Sequence, residues 1–216
     1  MDIRNETILS QWQGIVEIMA KIIRVPSAII TRFDPPYVEV VKTSRTDGNP
    51  YHEAQKATMT GHYCEAIYRR RDKIHIRDAR EDPLWQTAPE LDYGMVSYLG
   101  FPIFLPDGMV FGTICVLDTK ANDYSEDYEA LIRQFKALVE AHIRIIEQKR
   151  EIESKISEIK TLRGIIPICA SCKNIRNDDG YWERVEKYVK RHSEADFSHS
   201  ICPDCARKLY PELYDR

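Results

Sequence analysis

Cys169 and Cys172 stand two residues apart in "IPICASCKNIRNDDGYW", and Cys202 and Cys205 repeat that spacing in "SICPDCARKLYPE", giving C-x2-C-x29-C-x2-C. A CxxC turn presents two thiolates to one ion, and four thiolates make the tetrahedral, soft ligand set that favours zinc, one per chain. Four cysteines fill that coordination sphere and leave no water position, so the ion is expected to be structural rather than catalytic. Oxidation of the same thiolates would expel the metal, which keeps a redox switch open at these residues. His192 and His199 lie nearby but are superfluous to a completed four-sulfur set, and both read as surface residues.

Between the pairs, "NIRNDDGYW" reads as a turn or hairpin, and "YWERVEKYVKRH" as a helix with Trp182, Val185 and Val189 on one side. Pro203 suits the first turn of a helix beginning at the second cysteine pair. A knuckle followed by a helix-starting knuckle is similar to zinc-ribbon and treble-clef modules. The whole stretch resembles a C-terminal extension of bacterial signalling proteins, which strengthens the metal reading without naming an output; a contact surface for a protein partner is one expectation for this module. Its spacing is also like that of rubredoxin, which would hold iron. Rubredoxin knuckles usually place glycine after the second cysteine, where this sequence has Lys173 and Ala206.

The elements ahead of this module have enough apolar material for a substantial core. The chain has 216 residues, 43% hydrophobic and 30% charged, with a formal net charge of -3. That balance gives no general attraction to nucleic acid or to an anionic membrane. The N-terminal "MDIRNETILSQWQ" has no signal-peptide pattern, and no apolar run is long enough to span a bilayer, so a cytoplasmic location is expected. In that reducing setting, paired cysteines serve metal binding or redox chemistry rather than structural disulfides.

Ile8, Trp12, Ile15, Met19 and Ile22 recur at helical steps and predict an amphipathic helix over 5–24. "SAIITRF" and "YVEVVKTS", separated by "DPP", predict a hairpin. A polar segment from Arg45 to Lys56, expected to be mobile, leads to a short helix at "TGHYCEAIYRRR" and a short strand at "KIHI". "MVSYLGFPIFLPDGMVFGTICVLDTK" contains two apolar runs meeting at Pro106-Asp107-Gly108 and gives the clearest antiparallel hairpin. The order predicts an α+β domain built on a mainly antiparallel sheet.

Ser125 is placed to cap a long helix, and no Pro or Gly follows until Gly164. Leu131, Leu138, Ile145, Ile152, Ile159 and Ile166 recur at intervals of seven, with Phe135, His142, Lys149 and Ile156 between them. The first part of this stripe can pack on the sheet; beyond about residue 145 a parallel dimeric coiled coil is the better account of the isoleucines. The expected organisation is thus a sensor domain over 1–145, a helical linker over 146–164 and a four-cysteine module over 165–216. A homodimer would form through the N-terminal helix and the 125–166 helix.

"GMVSYLGFPIFLPDGMVFGTICVLD", with "GHYCEAI" and "EDPLW" upstream, resembles the GAF domains of bacterial sensor kinases and cyclic-di-GMP enzymes over about residues 5–145. The resemblance implies a six-stranded antiparallel sheet with helices on one face, a loop-covered pocket on the other, and a sensory role. The cyclic-nucleotide pattern of that family is absent, and Cys64 lacks the histidine that often follows a bilin-bearing cysteine. The expected pocket lining is Tyr63, Cys64, Trp85, Tyr93, Tyr98 and Phe101, an aromatic wall suited to a small organic ligand. The plain alternative is that Trp85, Tyr98 and Phe101 are ordinary packing. His62 and His75, without partners at ligand spacing, read as structural or exposed. In its Cys64 and Cys115 the chain is similar to free methionine sulfoxide reductases, GAF proteins in which one thiolate attacks the sulfoxide sulfur and a second cysteine resolves the product as a disulfide; here the "DAREDPLWQT" loop supplies no further cysteine, and Cys115 reads as a buried strand residue.

Overall fold

Asn5 opens the first helix: its Oδ1 accepts from the Ile8 backbone N–H at 3.2 Å, a cap that contributes about 1 kcal/mol. The computed structural model describes residues 5–163, 166–177 and 179–213, and side chains only to 156 within the long helix, so the Ile159 side chain and Gly164 lie outside the described residues. The chain divides into two units, Met1–Ile152 and Glu153–Arg216.

In the first unit, α1 (Glu6–Ile23) buries Ile8, Trp12, Ile15, Val16, Met19 and Ile23. The expected stripe shifts at its end. Ile22 points outward, and Ile23 takes the inner position, because the helical repeat advances past the spacing counted from Met19. The chain continues through β1 (Ser27–Asp34), β2 (Tyr37–Thr43), β3 (Lys56–Thr58), α2 (Tyr63–Arg70), β4 (Ile74–Ile76), β5 (Ser97–Phe104), β6 (Val110–Asp118) and α3 (Glu126–Arg163). The strands form one antiparallel sheet in the order β3-β2-β1-β6-β5-β4. This is the α+β class, with the predicted hairpins and short helix in place.

Strand periodicity sorts this sheet into two faces. Ala28 and Ile30 of β1, Leu99, Phe101 and Ile103 of β5, and Ile114 and Val116 of β6 join α1 and α3 in one core. Ile29, Tyr98, Cys115 and Leu117 face the opposite side, where α2 and the 3-10 helix Pro89–Tyr93 close a second core. Gly112 lets β1 and β6 approach: a Cβ there would sit 1.8 Å from the Thr31 carbonyl oxygen, so any side chain would force the strands apart.

The segment 45–56 differs from its sequence reading. Asn49 donates through Nδ2 to Thr43 Oγ1 at 2.7 Å and accepts through Oδ1 from the Tyr51 N–H, while the Ala54 N–H bonds the Val40 carbonyl at 2.8 Å. It is laced to β2 and ends in β3, which the sequence reading omitted. Among the described residues, no helix is long and apolar enough to cross a membrane.

The second unit has a two-stranded sheet, β7 (Ile175–Arg176) with β8 (Trp182–Glu183), followed by α4 (Val185–His192) and α5 (Pro203–Leu209). Trp182 lies in β8 rather than on the predicted helix, which starts at Val185. Ile175 is the single buried side chain among the described residues of this unit.

Candidate ligand cavity and cysteine knuckles

A cavity of about 170 Å³ lies on the α2 face of the sheet. Its floor is made by Ile29 and Thr31 of β1, Val38 and Val40 of β2, Tyr98 of β5, and Cys115 and Leu117 of β6; its sides are Tyr51, His62, Cys64, Glu90 and Tyr93. Most of the floor is apolar, and its threonine is satisfied: the Thr31 hydroxyl pairs with that of Thr113 at 2.8 Å in the sheet interior. Exposed Asp92 and Tyr93 also line the cavity, so it reaches solvent beside them.

Glu90 is the unusual group. It is 5% exposed, and its Oε1 accepts from the Tyr63 backbone N–H at 3.0 Å and meets His62 Nδ1 at 2.9 Å. Its Oε2 is buried and has no hydrogen-bond partner among the described residues. The Glu90 carboxylate raises the His62 pKa above the ordinary histidine value against the opposing effect of burial. The Tyr51 hydroxyl is likewise buried and unpartnered, and the Tyr98 hydroxyl lies near Thr113 and Cys115 without closing a hydrogen bond to either.

Of the six residues expected to line a pocket, Cys64, Tyr93 and Tyr98 do so. Tyr63 and Trp85 stack edge-to-face behind the wall, ring centroids 5.4 Å apart, and the Tyr63 hydroxyl donates to the Met95 carbonyl. Phe101 is on the other face of the sheet, under the Arg133 guanidinium at 4.7 Å, because three residues separate it from Tyr98 and an odd step along a strand reverses the side. His62, read as structural or exposed, lines the cavity. Glu90 and Tyr51 carried no sequence signal, since a 3-10 turn and a hydrogen-bonded loop bring them in. Gly100 also matters: the Tyr98 ring occupies the space over it, where a Cβ would come 2.2 Å from the hydroxyl.

Cys64 and Cys115 are both buried. Burial pushes the Cys64 thiol well above its usual pKa and that of Cys115 up to about 12, so both are protonated near neutral pH. The thiolate, not the thiol, is the nucleophile. The cavity therefore does not activate either sulfur.

Residues 8–143 match the profile of the GAF domain family. The chain belongs to the GAF domain family, whose members commonly serve as sensors in signal transduction. Its fold is similar to the GAF domain of an Acinetobacter phosphoenolpyruvate-protein phosphotransferase, at TM-score 0.54 and 16% identity over 67% of this chain and 87% of that one. It is also similar to the type II free methionine-R-sulfoxide reductase from Thermoplasma acidophilum, at TM-score 0.53 and 14% identity over 64% and 93% of the two chains. At such identities the likeness is one of fold. The diguanylate cyclase DgcP of Escherichia coli (strain K12) is 32% identical over 66 residues, 29% of this chain and 19% of that protein. The GAF chain thus spans about a fifth of that relative's length.

Beyond the GAF domain, the cysteines form two knuckles. The Cys172 backbone N–H points at Cys169 Sγ at 3.5 Å, and the Lys173 N–H bonds the Cys169 carbonyl at 3.0 Å. Lys173 adopts a left-handed backbone, φ 61°, the conformation glycine usually supplies after such a pair. Cys202 is the N-cap of α5, with Pro203 in its first turn. Backbone N–H groups lower the thiol pKa of Cys169, chiefly that of Cys172, and of Cys202, chiefly that of Cys205. Each pair is shaped to present thiolate. Among the described residues, no three Cys, His, Asp or Glu side chains converge as a metal set, so the two pairs stand as separate half-sites. The donor chemistry and the form of each half-site fit zinc; the four sulfurs are not brought to one point.

Proposed function

We propose that this chain is a small-molecule sensor of a signalling system, with the GAF cavity as the receptor site and the four-cysteine module as the output. The observation that carries this reading is the cavity itself: a largely apolar chamber that reaches solvent, with Glu90 in its wall, whose second carboxylate oxygen is buried and has no hydrogen-bond partner among the described residues. Native domains rarely leave such a group unsatisfied, and functional sites are the common exceptions. The likeness to a diguanylate cyclase over 66 residues supports a signalling setting.

The remaining parts follow from what each element leaves exposed. Leu138, Ile145, Ile152 and Ile156 form an outward-facing stripe on α3, and Ile18 and Ile22 are exposed on α1. Pairing of two copies through these helices would cover them. Cys169, Cys172, Cys202 and Cys205 would hold one zinc ion, which supplies folding free energy to a unit with almost no core. Its exposed Tyr181, Trp182, Phe197 and Tyr210 offer aromatic contacts to a protein partner. Ligand binding would shift the balance between two packings of the α1 and α3 pair and so alter the presentation of this module. The thiol-enzyme reading is not favoured, because both cavity sulfurs are held protonated.

Native mass spectrometry of the purified chain tests the proposal in one measurement. The expected species is a dimer with one zinc per chain and a small-molecule mass that disappears on gentle activation. A metal-free monomer whose mass shows two hydrogens lost per cysteine pair would overturn it in favour of disulfides.

A further inference from the structure

The indole N–H of Trp12 can only donate. Trp12 is fully buried in the core that α1 and α3 share with the sheet, with Phe111 of β6 edge-on at 6.2 Å, so water does not serve as its acceptor. Its partner is His142 of α3, whose Nδ1 lies 3.2 Å from Trp12 Nε1. Because the indole must give the proton, Nδ1 must hold a lone pair. The bond therefore exists only with a neutral imidazole that carries its proton on Nε2.

The surroundings do nothing to support a charge on this ring. The residues one turn on either side of His142 on α3, and of Trp12 on α1, are all aliphatic. The charged groups next along the two helices are engaged elsewhere or exposed. Glu140 is held by Lys136 and by the Phe104 N–H, and Glu17 by Gln13 Nε2 and the Arg45 N–H, while Glu6 and Arg144 lie at the surface. Phe111, the β6 neighbour of Trp12, is uncharged. Burial lowers the His142 pKa, and no carboxylate opposes that effect. His142 is only half-buried, so protons reach it from solvent.

We propose that the Trp12–His142 bond is a proton-released latch between α1 and α3, closed while the imidazole is neutral and opened by acidification. Protonation places two N–H groups against each other, and the imidazolium must turn away, which leaves the Trp12 donor buried without an acceptor. A histidine whose folded pKa lies below the ordinary ~6.5 gives stability that is present above that value and lost as pH falls through the folded one. The latch thus opens on the acid side. It joins the two helices assigned above to signal relay, yet it needs neither a cavity ligand nor zinc and stands or falls apart from the receptor reading.

The test follows the indole N–H signals of the full chain by proton–nitrogen correlation NMR from about pH 8 to about pH 5. The chain has three tryptophans, and Trp85→Phe and Trp182→Phe identify the two signals that are not Trp12. The Trp12 signal should move upfield on acidification, and its solvent exchange, corrected for the intrinsic effect of pH, should rise about tenfold, as expected for loss of one hydrogen bond. In His142→Gln, whose side-chain oxygen accepts at every pH, the signal should stay in place. In His62→Gln, which removes the other half-buried histidine, it should still move. A Trp12 signal that does not move in the native chain overturns the latch, and so does an equal movement in His142→Gln. Where that variant folds poorly, the ring-proton titration of His142 in the native chain decides: its midpoint must coincide with that of the Trp12 movement and lie below ~6.5, and separate midpoints overturn the proposal.

Discussion

His62 and Glu90 illustrate how one pair can link shape to pH. The hydrogen bond with Glu90 raises the His62 pKa, with added attraction from Glu90 and from Glu65 one turn into α2, while burial opposes it. A histidine whose folded pKa exceeds its unfolded value near ~6.5 contributes stability that is fully present below that value and is lost as pH rises through the folded one. His62→Gln should therefore lower the melting temperature of the GAF unit most below about pH 6 and least above about pH 8. Differential scanning fluorimetry of the two proteins across that range checks this, and a deficit independent of pH would show that His62 acts by packing alone. The residual effect at high pH measures the neutral imidazole, which still donates to Glu90. Cys64 and Cys115 behave oppositely: in their dry positions they act as small apolar residues of the wall.

At the scale of elements, α3 carries two apolar stripes, one buried in the core and one exposed. Ile132, Val139, Ile143 and Ile146 are buried against the sheet, whereas Leu138, Ile145 and Ile152 lie outside. Ile145, 56% exposed, makes no core contact that a charge would break. Ile145→Asp should convert the proposed dimer to a monomer in sedimentation velocity with the melting temperature of the GAF core nearly unchanged. Ile143→Asp, by contrast, buries an unpaired carboxylate and should cost about 4 kcal/mol or more, unfolding the domain. A dimer that survives Ile145→Asp would remove this face from the interface. The sequence shows the heptad spacing plainly, yet isoleucines at 143, 145 and 146 let either stripe face the sheet, and only the docking of α3 decides. Strand identity was legible because Pro-Asp-Gly and alternating apolar runs are local signals. The position of Phe101 was legible too, by counting its odd separation from Tyr98. Glu90 and Tyr51 were not, because a 3-10 turn and a side-chain-laced loop are set by tertiary hydrogen bonds that no local pattern encodes.

The whole molecule joins a unit that can hold itself together to one that cannot. The GAF unit buries two hydrophobic clusters, one on each face of its sheet. In the second unit Ile175 is alone in being buried among the described residues, and Ile168, Trp182, Val185, Phe197, Ile201 and Leu209 are exposed. Hydrophobic burial there cannot offset the entropy of ordering some fifty residues at about 1 kcal/mol or more each. The zinc ion proposed above would supply the difference by bridging the two cysteine knuckles. If zinc sits there as proposed, treatment of the native protein with a chelator should abolish amide-exchange protection across 166–213 and leave 8–143 protected, as read by hydrogen-exchange mass spectrometry. Cys202→Ser, which removes one ligand but no core packing, should reproduce the chelated pattern without added chelator. Should protection of 166–213 persist in both cases, the module is held by something other than metal, and the cysteine pairs would then be free for thiol exchange. If protection of 8–143 falls along with it, the two units fold as one and the division between a self-sufficient sensor and a metal-dependent output fails.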